Sequence, residues 1–251
     1  MKVISICNVK GGVGKTTSTI FLSRLLSEHG KTLMIDLDSQ NSLTSYFLKD
    51  LEGIQNKTIL QALLEETPVT DTVMQISDKL SLIPADIELC RLATALTELP
   101  EMQLDSVLAP IRGKYDFIVI DCPPNLNLET RQALAISNII ITPTLLEKWS
   151  IRSLDIVADH VQTKNKRLQK LTSTNFEGHY ILPTMKEKNR SIQTQVLDDL
   201  KKTYQDILEG IHKRTDVQKL AYVGSDAPIT GTDTYKEYSK VLEAVLKLEK
   251  V

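Results

Sequence analysis

The stretch Lys10-Gly11-Gly12-Val13-Gly14-Lys15-Thr16-Thr17 constrains this chain more than any other. It follows an apolar run, Val3-Ile4-Ser5-Ile6-Cys7, and precedes an amphipathic one, Ile20-Phe21-Leu22-Ser23-Arg24-Leu25-Leu26. Strand, glycine-rich turn and helix in that order make a cradle for an anion. Gly11, Gly12 and Gly14 carry no Cβ that would keep the backbone from wrapping it. The N–H groups that open the helix point at the anion, aided by the helix dipole. Lys15 brings a point charge to the β- and γ-phosphates of a nucleotide, and the Thr16 hydroxyl is placed to ligate Mg²⁺. The usual spacing, G-x-x-x-x-G-K-[ST], wants a glycine at position 9, where Val9 stands. A second lysine, Lys10, opens the loop instead.

Two apolar runs end on acids. Thr32-Leu33-Met34-Ile35-Asp36 leads into Asp38, and Tyr115-Asp116-Phe117-Ile118-Val119-Ile120-Asp121 is the clearest buried strand. Continuous apolar runs suit strands covered on both faces, as in parallel sheets. In such sheets ligands bind at the carboxyl ends of the strands. An acid there, next to a phosphate loop, holds Mg²⁺, usually through a water.

These segments resemble the ParA/MinD (Soj-like) family of ATPases, whose deviant Walker A loop matches residues 10–17. Asp36-Leu37-Asp38-Ser39-Gln40 is similar to the family's D-x-D-P-Q first switch, with Ser39 in place of proline. Asp121-Cys122-Pro123-Pro124 resembles its D-x-P-P second switch, and Pro143 with Glu147 matches its P-x-x-x-E segment. The likeness runs over about residues 2–248. It implies an α/β fold, a mostly parallel twisted sheet flanked by helices on both faces, as a single P-loop ATPase domain over 1–251.

The resemblance also implies roles. Lys10 is the signature lysine that reaches across a dimer interface to the other subunit's nucleotide. Lys10, Lys15 and Asp38 form the catalytic set, Asp38 positioning the attacking water. Thr16, Asp38 and Asp121 surround the metal, with Asp36 supporting them. Residues Lys10, Gly11, Gly12, Val13, Gly14, Lys15, Thr16 and Thr17 cradle the nucleotide. Adenine contacts fall near residues 185–187 and 211–213, hence Met185 and His212, the latter where proline is usual. No N-K-x-D segment reads guanine, so ATP with Mg²⁺ is expected.

Charge narrows the partners. The net charge is −2, but 13 Lys/Arg against 18 Asp/Glu in residues 1–150 become 17 against 14 in 151–251. Residues 160–176 hold Lys164, Lys166, Arg167 and Lys170 without an acid, and Lys213, Arg214 and Lys219 add to that surface. Basic runs are solvated faces or contacts for a phosphate backbone. The last helix mixes Lys and Glu opposite an apolar face, unlike a basic membrane-targeting helix. Within the family these features favour the plasmid or chromosome partition branch in a short form, with no appended N-terminal DNA-binding domain. The expected function is a slow, partner-stimulated partition (DNA segregation) ATPase. Its ATP-bound homodimer would bind non-specific DNA, and a centromere-binding ParB-type protein would stimulate hydrolysis. The alternatives are a membrane-recruited MinD-like positioning ATPase and an ATP-dependent ligase of the same fold.

A cytoplasmic, nucleoid-associated protein without membrane attachment is expected. The N-terminus enters the first strand directly and no apolar run could span a bilayer. Cys7 and Cys122 fall on core strands as small hydrophobes. Trp149, the only tryptophan, reads as an interface aromatic or as a half-buried one. The pattern further predicts helices over 15–29, closed by Gly30 as a left-handed C′ glycine, and over 43–51, 59–66, 87–99, 102–111, 151–167, 191–204 and 234–250. Strands are predicted over 80–84, 138–143, 180–185 and 206–211.

Overall fold

The computed structural model describes residues 1–95, 100–172, 174–187, 190–226 and 228–247, without the side chains of 100, 164–168, 221 and 226. The chain begins with β1 (Lys2–Ile6), α1 (Lys15–His29) and β2 (Thr32–Asp36), then α2 (Ser42–Phe47) and α3 (Ile59–Leu63). Next come β3 (Met74–Ser77), β4 (Leu80–Ile83), α4 (Leu92–Ala95) and α5 (Gln103–Leu108). β5 (Phe117–Asp121), α6 (Leu128–Ile136), β6 (Ile139–Leu145), α7 (Lys148–His160) and α8 (Lys166–Leu171) follow. The last elements are β7 (Gly178–Thr184), α9 (Ser191–Thr203), α10 (Thr215–Val223) and α11 (Asp233–Leu246).

The strands form one seven-stranded sheet in the order β3-β4-β2-β5-β1-β6-β7. Every pairing is parallel except β3 on β4. The pleat sorts the apolar runs to two cores. Val3, Leu33, Ile35, Ile118 and Ile120 face one layer with α3, α5 and α6. Ile4, Ile6, Met34 and Val119 face the other with α1 and α11. Cys7 and Cys122 are buried as expected. On the second face the rings of Phe21 and Tyr238 stack at 4.8 Å, and the Tyr238 hydroxyl meets Ser18 Oγ at 2.9 Å, tying α11 to the phosphate-loop helix.

Several boundaries differ from the sequence reading. Gly30 is extended, φ 179°, not left-handed. Its glycine identity serves space: a Cβ there would lie 2.5 Å from Asp116 Oδ2, the carboxylate that accepts the Lys31 N–H at 2.8 Å. The expected strand over 206–211 forms isolated parallel bridges, Ile181 with Ile207 and Lys186 with His212. Strand β3 and helices α6 and α10 have no counterpart in the sequence reading. Residues 96–99, the end of one expected helix, lie outside the described residues. No helix among the described residues is long and apolar enough to cross a membrane.

Candidate nucleotide site

Register brings the motifs together. In the parallel ladder Ile6 pairs with Asp121 and Asp36 with Asp121, so the phosphate loop, both switches and the second acid share one carboxyl edge of the sheet. The loop leaves β1 and turns with Gly12 at φ 70° and Gly14 at φ 90°, conformations that L side chains rarely adopt. Neighbouring strands help hold it in shape. Asn8 Nδ2 donates to the Pro143 carbonyl at 2.8 Å, and Asn8 Oδ1 accepts the Lys10 N–H at 2.9 Å. Thr184 Oγ1 at the end of β7 donates to the Val13 carbonyl at 2.8 Å. The Val13 side chain is buried in the core, so this residue offers a ligand its backbone alone.

The two lysines point differently. Lys15, 8% exposed, turns back over the loop and donates to the Lys10 carbonyl at 3.1 Å. Lys10 reaches outward, its ammonium 3.0 Å from Glu147 Oε2 and 3.0 Å from Ser150 Oγ.

Thr16 Oγ1 donates to Asp121 Oδ2 at 2.6 Å, and Thr19 Oγ1 to the other oxygen at 3.2 Å. Asp36 accepts the N–H and hydroxyl of Thr44 at 2.9 and 2.8 Å and the Asp38 N–H at 3.1 Å. Both carboxyls are buried, and burial pushes both above the usual carboxylate range; the charge of Asp36 raises Asp121 further. Neither forms an ion pair among the described residues. Two adjacent buried carboxyls beside a threonine hydroxyl are the donor set a Mg²⁺ ion would relieve, and the residues fit it. Asp38 faces the cavity and accepts the Gln40 N–H at 3.0 Å.

A cavity of ≈ 930 Å³ opens on the loop and is lined by Gly11, Gly12, Gly14, Lys15, Thr16, Thr17 and Asp38. Its apolar end comes from Ile20, Phe21, Met185, Val217 and Leu220. Met185 thus stands where the sequence reading puts the base. His212 does not line the cavity; its N–H and Nδ1 engage Glu237 at 2.9 and 2.8 Å, which turns it to α11. Val217 and Leu220 stand at helical spacing in the sequence and were missed, because spacing marks an apolar face without saying that it meets a ligand; no sequence signal marks Thr184.

The basic residues divide. Arg214 donates to Glu237 at 2.7 Å and Asp233 at 3.4 Å, and Lys213 pairs with Glu187 at 3.3 Å. Lys219 has no ion-pair partner among the described residues. The side chains of Lys164, Lys166 and Arg167 lie outside the described residues.

Known proteins resemble this chain. An AAA domain family model matches residues 1–174. The sporulation initiation inhibitor Soj of Bacillus subtilis is 32% identical over 209 residues, 82% of this chain and 81% of Soj. The chromosome partitioning protein ParA of Myxococcus xanthus is 31% identical over 204 residues, 80% of this chain and 70% of that one. This chain belongs to the ParA/Soj family. Among solved structures, a Borrelia burgdorferi B31 protein named for plasmid partition and bound to AMPPNP superposes with TM-score 0.86, at 33% identity and 98% coverage of both chains. The ParA/Soj fold accordingly frames the whole described chain, P-loop cradle included.

Proposed function

We propose that this chain hydrolyses ATP, and that ATP converts it into a two-fold dimer that binds DNA without sequence preference and is reset by hydrolysis. The observation that carries this reading is Lys10. Lys15 already serves its own loop, whereas the Lys10 ammonium lies on the rim, held by Glu147 and Ser150, and reaches a second copy by exchanging that pair for its phosphate.

In the ATP state Lys15 and the loop N–H groups grip the β- and γ-phosphates, and the partner copy's lysine completes the grip on the γ-phosphate. Thr16 and Asp121 would hold Mg²⁺, which would supply positive charge to offset that developing on the transferred phosphoryl group. Asp38, on the first switch and facing the cavity, orients the attacking water. Phosphoryl transfer asks for positioning and charge more than covalent chemistry. Met185, with Phe21 and Leu220, receives the base. Once the γ-phosphate leaves, the two copies lose the anion both lysines held, and the dimer separates. The basic second half, with Lys219 and the segment holding Lys164, Lys166 and Arg167, supplies the DNA contact. Lys213 and Arg214 reach phosphate only by leaving their acids. A centromere-binding ParB-type partner accelerates the otherwise slow step. The Soj, ParA and plasmid-partition names of the relatives support this reading.

Sedimentation with ATP and Mg²⁺ against ADP tests it. The parent should dimerise with ATP only. Lys10→Ala should bind nucleotide and stay monomeric, and Asp38→Ala should remain trapped as the ATP dimer. A parent that sediments identically in both nucleotides refutes the switch.

A further inference from the structure

The first switch is pinned at both ends by one buried carboxylate. Asp36 and Thr44 are fully buried and do not line the cavity that Asp38 faces. Where the loop starts, Asp36 Oδ1 accepts the Asp38 N–H at 3.1 Å. Where it ends, Asp36 Oδ2 accepts the N–H and the hydroxyl of Thr44 at 2.9 and 2.8 Å. Asn41 opens α2 without a side-chain cap, and the Asp36 carboxylate takes that part from across the turn. Thr44 Oγ1 in turn accepts the Ala85 N–H at 2.9 Å. A backbone N–H can only donate, so the one hydroxyl proton of Thr44 goes to Asp36. Ala85 is itself tied down. It follows β4, whose Ile83 pairs with Ile35 of β2, and the Pro84 carbonyl accepts the Ile59 N–H at 2.8 Å.

A buried threonine with a satisfied hydroxyl ordinarily serves stability. Thr44 differs in where its bonds lead. From the sheet at Ala85 the path runs through Thr44 and Asp36 to the Asp38 N–H, and the Asp38 carboxylate is aimed in turn by the Gln40 N–H at 3.0 Å. The links as far as Asp36 are buried and directed, the kind of support that holds a reactive group to within about 0.5 Å. That tolerance matters, because a misplacement of about 1 Å in a group that positions a reactant can cost about 10²-fold in rate.

We propose that Thr44 is a positioning residue for ATP hydrolysis: through Asp36 it fixes the backbone of Asp38, and with it the carboxylate that orients the attacking water. This rests on the reading that Asp38 orients that water. Thr44→Val keeps the shape of the side chain and deletes the hydroxyl. Phosphate release with ATP and Mg²⁺, followed well below the variant's melting temperature, should show kcat lowered at least tenfold. KM for ATP and the affinity for a fluorescent ATP analogue should stay within about twofold of the parent, because Lys15 and the phosphate loop are untouched. Thr44→Ser, which restores the hydroxyl, should recover most of kcat. Thr44→Ala deletes the same group without setting a methyl against Asp36, and is read in the same way should the valine variant not fold. A merely loosened fold would weaken nucleotide binding along with turnover, and serine would not be singled out as the rescuer. Parent-like kcat without the hydroxyl, a loss confined to ATP affinity, or a serine variant as slow as the valine one overturns the positioning role. If Asp38→Ala is inactive in the same assay, the reading of Asp38 still stands after such a result. An Asp38→Ala variant that releases phosphate at the parent rate overturns both.

Discussion

Asp121 shows how a residue's surroundings set its chemistry. Burial and the charge of Asp36 raise its carboxyl above the range it has in an unfolded chain, about 3.9. The folded, metal-free protein therefore keeps a proton that the unfolded chain gives up. Its stability falls as pH rises from about 4 upward on account of this group. Asp121→Asn should flatten that slope in thermal scans between pH 5 and pH 8, and should abolish the rise in melting temperature that Mg²⁺ with ATP gives the parent. His179 works in the opposite sense. Its ring, buried against Thr142 Oγ1 at 2.8 Å, is pushed down to about 4 by burial. The neutral ring contributes stability that is present above about 6.5 and lost as pH falls toward 4. His179→Gln should shrink the loss of urea midpoint between pH 7 and pH 5.

At the scale of elements, the central strands obeyed their patterns, while the strand expected over 206–211 formed only isolated bridges and several short helices were not foreseen. β1, β2 and β5 are apolar runs covered on both faces, and no other element suits them. β3 is an edge strand with alternate residues exposed, a signal hidden in a polar stretch. α10 keeps its apolar residues for the cavity. The end of α1 carries a testable claim. Gly30→Ala puts a Cβ 2.5 Å from the Asp116 carboxylate, and the carboxylate or the strand start must move. Overpacking of this kind costs about 1–3 kcal/mol, which lowers the melting temperature by roughly 2–4 °C per kcal/mol in a chain of this size. A thermal scan with unchanged melting temperature would mean that Asp116 rotates away freely.

Over the whole molecule, charge is partitioned between halves, and the fold decides which charges are free. Arg214 supports Glu237 on α11 together with His212, and burial is outweighed so that Glu237 ionises more readily than usual. Lys219 has no such duty among the described residues. Lys219→Glu should therefore weaken ATP-dependent retention of duplex DNA and reduce its salt slope by about 1. Arg214→Gln should instead lower the melting temperature with a smaller effect on retention. Gel retardation at two salt concentrations, paired with thermal scans, separates the two.

The phosphate loop, both switch acids and the three central strands were legible in residues 1–38 and 115–121. Glycine conformational freedom and continuous apolar runs are local properties that a linear pattern displays. Met185 could be named from resemblance, and His212 was named by the same route, yet only one of them reaches the cavity. Tertiary structure alone decided that outcome, as it decided the clamp of Thr184 on Val13, the ion pairs of Lys213 and Arg214, and the exposure of Trp149. Each depends on which side chains of distant segments meet, and hydrogen bonds or ion pairs between residues far apart leave no periodic trace along the chain.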